Sequence, residues 1–331
     1  MKRTVLLVVL CMIVGFLLSG NCLAAEDAAA FYKGKTINVF VPSAPGGTFD
    51  LLSRIMAPYL EKYTGAGTLL QNSINILAQN SLVRTKPDGL SVVLSGHGPK
   101  EITAQLFKQE GVNFDWTKFI LLGRLPSSST AFVVDKKLGW NKPADLQGKT
   151  FLAAASSPFF EPLFAEALGW DKMSVIPGMT GADKSLAMRR GEVQGAASGA
   201  AQVLKDADIM LPIVVSTKDE KGFPGVPTAQ DAAVKGKEKW GRLVAAWDEL
   251  LYWSYAAPGI PQDRAAFLES ALQKTYNDPA FRADLQKLKI DLSDHFVSAK
   301  ELKEMTKDIE GLSDAEIKEM QFVITKKYLK L

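Results

Sequence analysis

Thr36-Ile37-Asn38-Val39-Phe40-Val41 reads as a short buried strand, and it runs directly into Pro42-Ser43-Ala44-Pro45-Gly46-Gly47-Thr48-Phe49-Asp50. Helical spacing follows from Leu51 to Tyr63. A glycine turn in this place suits anion binding. The first amides of a helix lack intrahelical acceptors and lie at the positive end of the helix dipole, so backbone alone can hold a carboxylate there. Gly46 and Gly47 allow close approach of the chain, Thr48 adds a hydroxyl, and Asp50 caps the helix or holds the loop. The alternative reading of the same residues is an ordinary tight turn.

Little else in the chain points to chemistry. Gly34-Lys35-Thr36 and Gly148-Lys149-Thr150 end like a phosphate-binding loop but lack its leading glycine, so they read as turns before strands. The sequence contains no GxGxxG, GxSxG or HExxH motif. Its two histidines, His97 and His295, are too far apart in sequence to suggest a metal pair, and no metal or cofactor is expected. His97 falls at a strand-to-helix turn, where it either touches a ligand or fills the loop; His295 reads as a surface loop residue. Arg124 follows a strand and either reaches an anion or pairs across a domain boundary. Asp219-Glu220 and Asp248-Glu249 read as solvated charges. Trp116, Trp140, Trp170 and Trp240 read as packing residues.

The elements that would position these residues alternate. Strands are predicted at 90–94, 120–123, 131–134, 150–155 and 211–216, with helices after several of them, including one from Phe160 to Leu168. Strand–helix alternation predicts α/β architecture, with mostly parallel sheets covered by flanking helices. Pro126-Ser127-Ser128-Ser129-Thr130 suits a crossing between domains, and a return follows Lys221-Gly222-Phe223-Pro224-Gly225-Val226-Pro227. The expected organisation is a leader over 1–24, a discontinuous first domain over 25–126 and 232–331, and an inserted second domain over 127–231, with ligand in the cleft between them.

The leader reading rests on Lys2 and Arg3, the apolar run from Val5 to Leu18, and small residues at Ala24 and Ala25. That is the pattern of a cleaved secretory signal peptide, with an apolar run too short for a comfortable membrane span. Cys22 offers an alternative lipid-anchored form. Both cysteines, Cys11 and Cys22, lie in the leader, so the mature chain is expected to hold neither thiol nor disulfide. Loss of Lys2 and Arg3 takes the balance from 39 basic and 36 acidic residues to 37 against 36. With no polybasic block, nucleic acid is not an expected partner.

The run from Val41 to Asp50 resembles the signature after the first strand of the Bug family, the TctC-like periplasmic substrate-binding proteins of tripartite tricarboxylate transporters. The resemblance continues in order through Lys86-Pro87-Asp88-Gly89, Trp116 to Gly123, Pro143-Ala144-Asp145-Leu146, Gly191-Glu192-Val193, Phe223 to Thr228, and Trp253 through Ile260-Pro261. It implies a two-domain periplasmic binding protein fold of type II that closes on a small carboxylate and has no catalytic residues. It also implies integral membrane transporter subunits as partners, a periplasmic location and a monomer. By position the resemblance assigns ligand contact to Ser43, Ala44, Pro45, Gly46, Gly47, Thr48, Phe49 and Asp50, and to Ser95, Gly96 and His97. From the other domain it assigns Ser156, Ser157, Pro158 and Phe159, Thr180 and Gly181, and Ser198.

The second half of the pocket departs from the family pattern. Pro158-Phe159-Phe160-Glu161 stands where a glycine-serine loop is expected, Gly178-Met179 replaces a tyrosine-lysine pair, and Ser198-Gly199 replaces Asp-Asn. Phe49, Phe159 and Phe160 add apolar area, which points to a carboxylate with an aromatic or aliphatic body. Two other roles fit the same cleft: a ligand-sensing subunit for a membrane kinase, and an enzyme built on the same fold.

Overall fold

The computed structural model describes residues 28–73, 76–125, 129–219, 221–287 and 296–329. The predicted leader with both cysteines, the Pro126-Ser127-Ser128 part of the first crossing, Glu220 and His295 lie outside the described residues.

Among the described residues, ten strands form two five-stranded sheets. The first holds β1 (Thr36–Val41), β2 (Gly67–Asn72), β3 (Ser91–His97), β4 (Ile120–Arg124) and β10 (Leu251–Ala256), in the order β2-β1-β3-β10-β4. The second holds β5 (Thr130–Asp135), β6 (Phe151–Ala154), β7 (Met173–Ile176), β8 (Gly195–Gly199) and β9 (Met210–Val215), in the order β7-β6-β8-β5-β9. The two orders are the same pattern. In each sheet one strand opposes the other four: β10 is antiparallel to β3 and β4, and β5 is antiparallel to β8 and β9. These reversed strands are the first that the chain makes after each crossing. The mostly parallel expectation therefore holds, and the exception in each sheet marks where the chain changes sheets.

Local sequence explains the elements that frame the site. In β1 every residue after Asn38 is buried, as expected of a strand covered on both faces. The helix Thr48–Thr64 buries Leu52, Met56 and Leu60, one residue per turn on the face toward the sheet. It stops at Gly65, whose φ of 71° places it in the left-handed region and whose N–H bonds Glu61 O.

The chain stays with the second sheet beyond residue 231. Helix Glu238–Asp248 packs on helix Phe160–Leu168, with Trp247 edge-on to Phe159 at 5.4 Å. The C-terminal end also returns there: Leu329 bridges Val175 of β7, and Val175 N donates to Tyr328 O at 2.7 Å. Trp116, Trp170 and Trp240 are buried core residues, and Trp140 packs partly buried against them, as predicted.

Asp248 corrects the sequence reading of a solvated charge. It is buried and accepts bonds from Thr130 Oγ1 at 2.6 Å and Ser216 Oγ at 2.8 Å, so it ties the start of β5 to the end of β9. Burial raises its pKa, opposed by those bonds and by Arg124. Its partners are distant in sequence, which is why the local charge pattern misread it.

Candidate functional site

The candidate residues lie on the carboxyl edges of the two sheets. In the first sheet these are the loop 42–50 after β1, His97 at the end of β3 and Arg124 at the end of β4. Because β10 runs backwards, its first residues, Leu251 and Tyr252, lie at the same edge; Leu251 is paired with His97. In the second sheet the edge carries Ser156 to Phe159 after β6, Thr180-Gly181 after β7 and Ser198 in β8. Only residues 125–129 separate β4 from β5, and Thr130 is bonded to Asp248 just before β10. The two edges are therefore joined at both crossings. Open α/β sheets collect ligands at this edge.

The glycine loop is held open from below. Asp50 is 2% exposed and accepts from Gly46 N at 2.8 Å, Arg54 Nε at 2.9 Å and Asn72 Nδ2 at 2.8 Å. Burial pushes its pKa up, but these three donors outweigh burial and hold the carboxyl below its usual range. Asn72 Nδ2 also reaches Ser43 O at 3.1 Å. Asp50 is thus the loop's holding residue. Helix Thr48–Thr64 starts at Gly47 with no side-chain cap. Its opening amides, at Thr48 and Phe49, have no intrahelical acceptor. Gly46 has φ 82° and Ala44, Pro45 and Thr48 are exposed beside it, so the backbone is presented to solvent. Ser43 Oγ turns back to Ala44 O at 2.9 Å.

Around this loop stands a small aromatic wall. The Phe49 ring lies 5.1 Å from His97 and 5.5 Å from Tyr252. His97 caps helix Gly98–Leu106, with Nδ1 accepting from Lys100 N at 3.4 Å, and its own N–H donates to Glu101 Oε1 at 2.7 Å. Burial, with a contribution from Lys100, lowers the His97 pKa to about 4, so the ring is neutral at physiological pH. Glu101 is buried and also accepts from Trp253 Nε1 at 2.9 Å and Tyr255 Oη at 2.7 Å. Burial raises its pKa against those three bonds. Gly96 and Ser95 are buried beneath this network. A Cβ on Gly96 would meet Trp253 Nε1 at 2.5 Å, so that glycine makes room for the indole.

On the second sheet, Ser156 and Ser157 are exposed and Pro158 is half-buried. Phe159 is 9% exposed and packs on Trp247 and Phe160, at the start of helix Phe160–Leu168, which is buried from Glu161 to Leu168. Of the three phenylalanines singled out in the sequence, Phe49 alone joins the aromatic wall. Thr180 caps helix Gly181–Arg189 through a reciprocal pair with Asp183 and leaves Gly181 at the first turn. Ser198 is buried in β8 opposite Ala131. Beneath this edge a buried pair not anticipated from sequence, Glu161 and Lys184 at 3.8 Å, brackets the Ala197 peptide: Ala197 N donates to Glu161 Oε1 and Lys184 Nζ donates to Ala197 O. Among the described residues no hydrogen bond joins the loop 42–50 to the second sheet's candidate residues.

Tyr252 is not among the residues that the sequence marks for the site, and Arg124 reads there only as an arginine after a strand. Tyr252 carries φ 60°, unusual for a non-glycine residue, and nothing local in the sequence announces it.

Two sheets of one strand order, joined at their carboxyl edges by two crossings, define a two-domain type II periplasmic binding protein fold. No family model matches the chain. It is 26% identical over 86 residues to Protein BugT of Bordetella pertussis, a stretch covering 25% of this chain and 26% of that protein, so the match spans about a quarter of the relative's length. A TctC solute-binding protein from Polaromonas superposes with a TM-score of 0.69 at 19% identity, over 87% of this chain and 98% of that one. A protein from R. palustris with adipate superposes at 0.60 and 17% identity, over 88% and 97%. In architecture the chain is similar to these solute-binding proteins and shares their two-sheet periplasmic binding protein fold.

Proposed function

We propose that this protein is an extracytoplasmic solute-binding protein that captures a small carboxylate between two lobes and delivers it to a tripartite tricarboxylate-type membrane transporter. The lobes divide at the two crossings, between β4 and β5 and between β9 and β10. The observation that carries the reading is the opening of helix Thr48–Thr64: its first amides have no side-chain cap, and the nearby carboxylate, Asp50, is turned inward to hold the loop. Such a helix end holds an anion without chemistry of its own. The adipate bound by the R. palustris neighbour supports the ligand class. The leader pattern supports a periplasmic location, and no helix among the described residues is long and apolar enough to cross a membrane.

The test is a thermal-shift screen of the mature chain against aliphatic and aromatic carboxylates, with the matching amides as controls. A ligand at a hundredfold excess over its Kd stabilises the folded state by about 2.7 kcal/mol. Shifts with carboxylates and none with amides support the reading; no shift across the panel refutes it.

A further inference from the structure

The aromatic wall carries a polar group whose hydrogen-bonding state the structure fixes. His97 accepts from Lys100 N through Nδ1 at 3.4 Å, as the cap of helix Gly98–Leu106. A ring nitrogen that accepts carries no proton, so in the neutral imidazole the proton sits on Nε2. Burial holds the ring neutral, with its pKa lowered to about 4. Among the described residues Nε2 meets no acceptor. It is not shut away from water either: the side-chain polar atoms buried without a partner include Ser95 Oγ and Arg124 Nε, but not His97 Nε2. The ring is half-buried at the carboxyl edge, so its Nε2–H is an unfilled donor open to solvent.

Its neighbours keep this donor uncharged and place it beside the glycine loop. The Phe49 ring lies 5.1 Å from the His97 ring, and the Phe49 amide is one of the two that open helix Thr48–Thr64 without a side-chain cap. From β10 the ladder partner of His97 is Leu251, followed by Tyr252, whose phenol burial pushes up to about 12. On its own helix, Glu101 is taken up by the His97 N–H, Trp253 and Tyr255, and the charge of Lys100 further disfavours a protonated ring. The single acceptor of His97, Nδ1, is already used by Lys100 N. The ring therefore offers a donor and nothing else, and a keto oxygen, which only accepts, is its complement. Once a bound molecule excludes water, a donor left without an acceptor is costly, so such a site rejects the analogue that lacks the oxygen.

We propose that His97 is a specificity-determining residue of the cleft, whose Nε2–H selects an oxo acid: a carboxylate with a keto oxygen on a carbon body that lies along Phe49. This rests on the solute-binding reading above. The carboxylate goes to the Thr48–Phe49 amides and the keto oxygen to the imidazole.

The experiment compares 2-oxopentanoate and 4-oxopentanoate with pentanoate, and 3-acetylbenzoate with benzoate, by calorimetry on the wild-type chain and on His97→Asn. Asparagine keeps a side-chain oxygen to cap the helix and lacks the reach of the Nε2–H. The wild type is expected to bind at least one keto acid about tenfold or more tighter than its parent acid. His97→Asn is expected to bring that ratio within about twofold and to leave the parent acids within about threefold. The preference is expected to be the same at pH 8 and pH 6, because the ring is neutral at both. A wild type that binds none of these acids overturns the solute-binding reading and the inference with it. Equal binding of keto and parent acids, a variant that keeps the preference, or a preference that grows from pH 8 to pH 6 overturns the inference and leaves that reading standing. If His97→Asn does not fold, the Nε2–H resonance of His97 in the wild type decides. It is expected to shift with the preferred keto acid and not with its parent; movement with both, or with neither, overturns the proposal.

Discussion

Replacing Asp50 by alanine removes one carboxylate and the three hydrogen bonds it accepts. The Asp50 carboxylate is 2% exposed and receives the Gly46 amide, the Arg54 guanidinium and the Asn72 amide at 2.8–2.9 Å. Hydrogen bonds to a charged group contribute about 1.5–3 kcal/mol each when buried. Two of the three donors can turn to water on release, since Gly46 is exposed and the Arg54 side chain is 51% exposed. The expected cost of Asp50→Ala is therefore about 2–4 kcal/mol, below the simple sum.

Asp50→Asn separates charge from shape. Its carbonyl oxygen can still accept from Gly46, and the ion pair it loses is a half-exposed i,i+4 contact of small worth, so the expected cost is about 1 kcal/mol. Urea unfolding of the two variants, read as a change in midpoint at constant slope, measures both numbers. The pH dependence follows from the lowered pKa of Asp50. The stabilisation is complete above the unfolded carboxyl pKa of about 3.9 and is lost as pH falls through the lower folded value, so the penalty of Asp50→Asn should shrink in acid. In ligand titrations Asp50→Ala should weaken carboxylate binding, because the loop is no longer held. Equal stabilities for wild type and Asp50→Ala, or equal losses for Ala and Asn, would refute the holding role.

Three further outcomes are expected. Gly96→Ala would drive a methyl against Trp253 and Tyr255, both fully buried, and should destabilise the chain by about 1–3 kcal/mol, read from urea midpoints. His97, lowered to about 4, should show no imidazole protonation by NMR between pH 8 and pH 5. The unfolded chain takes up that proton near pH 6.5, so the stability linked to His97 declines as pH falls below that value. Asp278 accepts from Lys62 Nζ at 2.7 Å and from Tyr63 Oη at 2.9 Å, which hold its pKa down to about 2. Asp278→Asn should lose stability at neutral pH and approach the wild type as pH falls toward 2, in parallel acid-unfolding curves.

What sequence made visible was whatever is decided locally. β1 matches its predicted span residue for residue, and the helices from Phe160 and around Leu51–Tyr63 appear where apolar spacing and Pro-Gly punctuation put them. The strands that eluded the pattern are those that tertiary context imposes. β8 reads Gly-Ala-Ala-Ser-Gly, a string with no β-former in it. It is a strand because Phe132 of the neighbouring β5 requires the space: a Cβ on Gly195 would meet that ring at 2.7 Å. Asp248 shows the same limit for charge, since two adjacent acidic residues on a helix end look solvated until Thr130 and Ser216 arrive from elsewhere in the chain.

The site divides along the same line. On the proposed reading, a pocket built from backbone amides leaves one mark on a sequence, the glycines that let the chain turn, and Gly46 and Gly47 are such glycines. The side chains that hold such a loop leave a fainter mark. Asp50 lies within the motif, but Arg54 and Asn72 come from the helix and from β2 and acquire meaning only once Asp50 joins them. Arg124 and Tyr252 leave none. Arg124 looks like any arginine after a strand, and the strained φ of Tyr252 follows from a register shift in β10 against β3, where Leu251 pairs with His97 and Trp253 with Gly96. Because β10 is the one reversed strand of its sheet, its first residues arrive at the carboxyl edge from the opposite direction to all the others. A reading that looks for site residues only in the loops following parallel strands will pass over them.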